Sequence, residues 1–97
     1  MVGLEIQVQL TKEKRREFLQ AFEFLACKSS ECIGQYLYED LGKDNRFLWM
    51  ERWTNSKALE DHLKSDHFKS LLGAIEVLGV LKNLHLVEFR APPDNLG

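Results

Sequence analysis

Hydrophobic and polar residues alternate from the start of the chain. Val2, Leu4, Ile6, Val8 and Leu10 fall on one side, and Gly3, Glu5, Gln7 and Gln9 on the other. A period of two predicts a strand with one apolar face. The period then changes. Phe18, Phe22, Leu25 and Ala26 recur at i, i+4, i+7 and i+8, which predicts a helix from Lys12 to Cys27 with Thr11 as its N-cap. Gly34 reads as a turn into a second strand, Gln35 to Leu41. Gly42-Lys43-Asp44-Asn45 then reads as a hairpin loop before a third strand, Arg46 to Trp53. That third strand is apolar on both faces, with Phe47, Trp49 and Trp53 on one and Leu48 and Met50 on the other. Thr54, Asn55 and Ser56 supply cap candidates for a short helix, Lys57 to Lys64. Ser65-Asp66 opens another helix, striped by Phe68, Leu71, Leu72 and Ile75 and stopped at Gly79, and a last strand runs from Leu81 to Phe89.

The order β-α-β-β-α-α-β predicts an α+β ferredoxin-like sandwich: a four-stranded antiparallel sheet with its helices on one face. One such domain accounts for residues 1–91, and Pro92 and Pro93 predict a flexible tail over 92–97. Helices on one face leave the second apolar side of the third strand open, more than a monomer should expose. A second copy packed sheet to sheet would bury it, so a homodimer is expected.

Charge and composition narrow the function. Thirteen Lys and Arg against fifteen Asp and Glu give a net charge of −2, without the basic surplus that phosphate-driven nucleic-acid binding needs. Apolar runs such as Phe47 to Met50 are too short for a bilayer, so no membrane partner is expected. Residues 1–10 lack the basic start and apolar centre of a signal peptide, which gives a cytoplasmic address as the expectation. Cys27 and Cys32 do not have the spacing of a CxxC redox pair or a zinc site and read as two reduced thiols.

Glu51-Arg52-Trp53 followed by His62-Leu63-Lys64-Ser65-Asp66-His67-Phe68 resembles the antibiotic biosynthesis monooxygenase family. That family carries E-x-W, a helix, then H-x-x-S-x-H-F. Gly34 with Tyr38-Glu39-Asp40 is similar to the family's glycine-led strand ending in a Tyr and acidic pair. The resemblance implies a dimeric α/β barrel and a monooxygenase that oxidises quinol or phenolic aromatics with O2, without metal, flavin or other cofactor. A related branch degrades haem with an Asn on the first strand, a Trp on the middle helix and an axial His on the last helix. Gln7, His62 and Leu72 stand at the matching places, so haem degradation is not implied.

Oxidation of this kind calls for an apolar pocket, a base, and donors that hold a developing oxyanion. His62 is the candidate base, with Tyr38 and Gln7 as candidate oxyanion donors. Trp49, Trp53, Phe68, Tyr36 and Glu51 are the candidate residues around a small planar aromatic ligand. Tyr36 and Tyr38 share a strand face, with one expected in the core and the other near its rim. Glu51 lies between two indoles and needs a partner, for which Arg46, Arg52, His62 and His85 are available. His67, at a helix start, reads as a structural hydrogen-bonding residue, and His62 with His67 does not make a metal pair. The other functional reading is a non-catalytic ligand-binding or signalling module on the same fold, because a fold does not carry a function.

Overall fold

The computed structural model describes residues 1–25 and 29–89. Strand β1 (Val2–Leu10) is followed by a single 3-10 turn (Lys12–Lys14), helix α1 (Arg15–Phe24), strands β2 (Cys32–Glu39) and β3 (Arg46–Trp53), helices α2 (Ser56–Leu63) and α3 (Asp66–Leu78), and strand β4 (Gly79–Glu88). The strands form one antiparallel sheet in the order β2-β3-β1-β4. This is the ferredoxin-like α+β arrangement that the hydrophobic pattern predicts. No helix among the described residues is long and apolar enough to cross a membrane.

The register explains how two sequence periods build one core. Leu4, Ile6 and Val8 of β1 stand opposite Glu51, Trp49 and Phe47 of β3, so these six side chains share the face under the helices. Phe18 of α1 closes over them, its ring 5.4 Å from Phe47 and 6.5 Å from Trp49. Phe22 meets Trp49 edge-on at 4.8 Å. Phe68, Leu71, Ile75 and Leu78 seal the layer from α3, and all four are buried.

Four of the boundaries differ from expectation. The first helix starts with a 3-10 turn because Thr11 makes no side-chain cap, and the Lys14 amide instead closes on Thr11 O at 3.1 Å. Strand β2 begins at Cys32, so Gly34 is inside it rather than in a turn. An added Cβ at Gly34 would sit 2.5 Å from the Tyr36 hydroxyl, so the glycine serves close approach rather than chain reversal. Strand β2 also stops at Glu39, because Asp40 turns the chain by accepting the Gly42 amide at 2.7 Å. Finally, β4 begins at Gly79, where a Cβ would meet Gln9 O at 2.5 Å. Ala26, Cys27, Lys28 and residues 90–97, which include the predicted tail, lie outside the described residues.

Helices α2 and α3 are capped as their sequences suggest. Asn55 Oδ1 accepts the Ala58 amide at 2.9 Å, and Ser65 Oγ accepts the Phe68 amide at 3.1 Å. The Ser65 hydroxyl also donates to His62 O at 2.6 Å, tying the start of α3 to the end of α2. Ser65→Ala is expected to cost about 1–2 kcal/mol, the upper part of the range for a lost N-cap. Urea unfolding should show this as a lower midpoint with an unchanged slope.

Candidate functional site

A carboxylate with almost no solvent access lies near the centre of the molecule. Glu51 is 1% exposed because strand alternation puts it on the helix side of β3, between Trp49 and Trp53. Both indoles turn their N–H toward it: Trp49 Nε1 donates to Oε2 at 3.0 Å and Trp53 Nε1 to Oε1 at 3.1 Å. His62, 8% exposed, brings Nε2 to 3.0 Å from Oε1. That nitrogen is sealed from solvent and makes no aligned hydrogen bond, so the two groups are in close contact without an N–H directed along the line between them. Gln35, placed across from Glu51 by the β2–β3 register, approaches Oε2 at 3.5 Å.

Burial pushes the Glu51 carboxyl up. The contact with His62, its charge and the two indole N–H groups outweigh that and hold it below the usual glutamate value. Glu51 is thereby kept as an anion beside an imidazole. The close contact also fixes the ring in place.

His62 packs between this carboxylate and open space. Its ring lies 4.4 Å from that of Trp53 and 5.3 Å from Phe68. On its other side is a cavity of about 1010 Å³, bounded by the end of α1, the stretch before β2, the end of β3, α2 and the start of α3. His62, Trp53, Ala58, Leu25 and His67 are among its lining residues. This is the upper end of the size of ligand pockets, and the cavity opens to solvent. His67 Nε2 is 2.9 Å from Leu25 O, so His67 fastens α3 to the end of α1, as its position at a helix start suggests. Among the described residues no group of three or more His, Cys, Asp or Glu side chains is placed to hold a metal ion.

The sheet divides the candidate residues into two sets. Glu51, His62, Trp49, Trp53 and Phe68 come together on the helix side, and of these His62 and Trp53 reach the cavity. Gln7, Tyr36 and Tyr38 project from the opposite face: Gln7 and Tyr38 both pair with Leu48, and Tyr36 pairs with Met50. The two tyrosine rings stack at 6.2 Å, and both are exposed, where one was expected in the core. Strand β2 has no helix over that face, which is why neither ring is covered. Gln35 was missed as a partner of Glu51. Its signal lay in the hairpin register, which the loop chemistry indicated only roughly.

The model of the antibiotic biosynthesis monooxygenase family matches residues 1–72. The chain belongs to this family. Among its relatives is YcnE of Bacillus subtilis (strain 168), whose name gives it a provisional monooxygenase assignment. YcnE is 31% identical over 75 residues, 74% of this chain and 79% of that protein. A solved conserved protein of unknown function from Bacteroides thetaiotaomicron VPI-5482 superposes with a TM-score of 0.78 at 27% identity, covering 91% of this chain and 96% of that one. SnoaB, a cofactor-independent oxygenase from Streptomyces nogalater, superposes with a TM-score of 0.73 at 19% identity and 96% coverage of each chain. At that identity SnoaB shows that the fold is shared.

Proposed function

We propose that this antibiotic biosynthesis monooxygenase family member oxidises a quinol- or anthrone-type aromatic with O2 in the cavity beside His62, without a cofactor. The observation that supports this most is the buried Glu51–His62 pair, braced by two indoles and placed at the wall of a cavity of ligand size. Family membership and the likeness to a cofactor-independent oxygenase add to it.

In this reading Glu51 holds Nε2 of His62, and Nδ1 takes a proton from the substrate hydroxyl or the acidic ring CH2. Deprotonation produces an electron-rich phenolate or carbanion that can reduce O2 directly. For an anthrone, the CH2 carbon loses both hydrogens and becomes a carbonyl. One oxygen atom of O2 enters that carbonyl and the other leaves as water. The substrate supplies all four electrons, so no external reductant is required. The Glu51 carboxylate stabilises the imidazolium formed in the first step. Trp53 and Phe68 hold the ring of His62 in place. A direct test is O2 uptake with a panel of anthrones and quinols, where a rate above buffer is expected. No uptake across the panel would favour the ligand-binding module instead.

The uncovered sheet face fits the expected homodimer. Leu48 and Met50 lie there half-buried beside exposed Tyr36 and Tyr38, and Gln7 would then meet a partner's sheet rather than the His62 cavity. Light scattering at micromolar concentration is expected to give about twice 11.3 kDa. Met50→Asp should shift the protein to monomer, since an unpaired carboxylate buried at an interface costs several kcal/mol. A wild-type monomer would contradict the sheet-to-sheet pairing.

A further inference from the structure

The charge around the cavity indicates what it can hold. Among the described lining residues, Glu23, Glu31 and Asp61 are acidic and Lys57 is basic. Lys57 Nζ lies 3.6 Å from Asp61 Oδ2, so that cation is already matched. Neither Glu23 nor Glu31 has a cation within ion-pair distance among the described residues, and Glu31 only accepts the Thr54 hydroxyl.

Two of the neutral side chains on the lining are already engaged within the protein. The Asn55 side chain is used by the Ala58 amide and Thr54, and His67 Nε2 is held at Leu25 O. Helix α3 begins at the cavity wall, where its N-terminus would attract a negative group, but Ser65 Oγ already accepts the Phe68 amide. The same lining includes the buried ring of Trp53 and the buried imidazole of His62, which has no aligned hydrogen bond at Nε2. Among the described residues, the buried part of the lining is therefore aromatic with an imidazole, and its exposed charges are mainly anionic.

We propose that this cavity selects neutral or cationic aromatic ligands against anionic ones, with Glu23 and Glu31 as the residues that set the discrimination. The proposal rests on the reading that the cavity beside His62 is the ligand site. It excludes phosphorylated or carboxylated aromatics as preferred substrates and admits phenols that are uncharged or carry an ammonium group.

The test is calorimetric titration of the purified protein with three matched probes: 1-naphthol, an aminomethyl-1-naphthol, and 1-hydroxy-2-naphthoate. At low salt the naphthoate is expected to bind about three- to ten-fold more weakly than 1-naphthol, and the aminomethyl probe at least as tightly. Raising salt to about 0.5 M should shrink the gap, since the carboxylates are exposed and screened. Glu23→Lys, on the exposed side of α1, should close or reverse the gap without disturbing the core. Glu31→Gln should narrow it independently. Naphthoate binding as tight as 1-naphthol in the wild type would overturn the proposal while leaving the ligand site intact. A gap unchanged in both variants would also overturn it. Failure of all three probes to bind would remove the ligand site itself, and the proposal with it.

Discussion

His62→Ala is expected to lower O2 consumption with an anthrone substrate by about 10²-fold or more, the scale of losing a general base. That is about 2.7 kcal/mol of barrier. Because His62 is buried against Glu51, Trp53 and Phe68, the alanine variant also loses stability, and activity must be read per folded molecule. His62→Gln separates the two effects. Its amide can still donate toward Glu51 but cannot take up a proton near neutral pH. A folded His62→Gln protein with the same rate loss would assign the effect to proton transfer. Wild-type rates in that variant would reduce His62 to a structural residue.

Glu51→Ala is expected to have the largest effect on stability, about 3–5 kcal/mol. The carboxylate receives two indole N–H groups and a close imidazole, and removing it leaves these buried groups without an acceptor. For a domain of this size, with total stability of about 5–15 kcal/mol, such a loss brings the protein close to unfolding at ambient temperature. Glu51→Leu fills more of the space but leaves the same groups unpaired, so it should recover only part of the loss.

The sign of the pH dependence follows from the direction of the Glu51 shift. Its folded-state value lies below that of the unfolded chain, so between the two values the unfolded state binds more protons. The stabilisation from Glu51 is fully present above the usual glutamate value. It is lost as pH falls through the lower folded value. Unfolding free energies measured across this acid range should fall more steeply in the wild type than in Glu51→Gln. Parallel curves would contradict the buried-anion account.

Much of this architecture was legible in the alternation and stripes of the chain. The β1 pattern and the both-sided β3 gave the sheet and its two faces, and Phe18 and Phe68 marked the helix stripes that cover one of them. Cap chemistry located α2 and α3 closely, because Asn55 and Ser65 make the bonds that their residue types suit. The hairpin was less legible. Gly34 looks like a turn residue, and only the approach of the Tyr36 ring shows why it lies inside a strand.

Parity also placed Glu51 beside two indoles and offered His62 among its partners. Which of four candidates pairs with it depends on where α2 crosses the sheet, and local sequence does not encode that crossing. The same limit applies to Gln7 and Tyr38. Their residue types suit an oxyanion, but the side of the sheet that meets the His62 cavity is a tertiary property. The cavity is lined by the end of α1 and by α2, two elements far apart in the sequence, and no short-range pattern announces that meeting.

The most direct test of the central claim is turnover of an anthrone under ¹⁸O2 by chelator-treated enzyme, followed by mass spectrometry of the product. The account predicts one labelled oxygen atom per carbonyl formed, at a rate well above the uncatalysed reaction and about 10²-fold lower in His62→Gln. Product formed no faster than in buffer, or equally fast in His62→Gln, would contradict it.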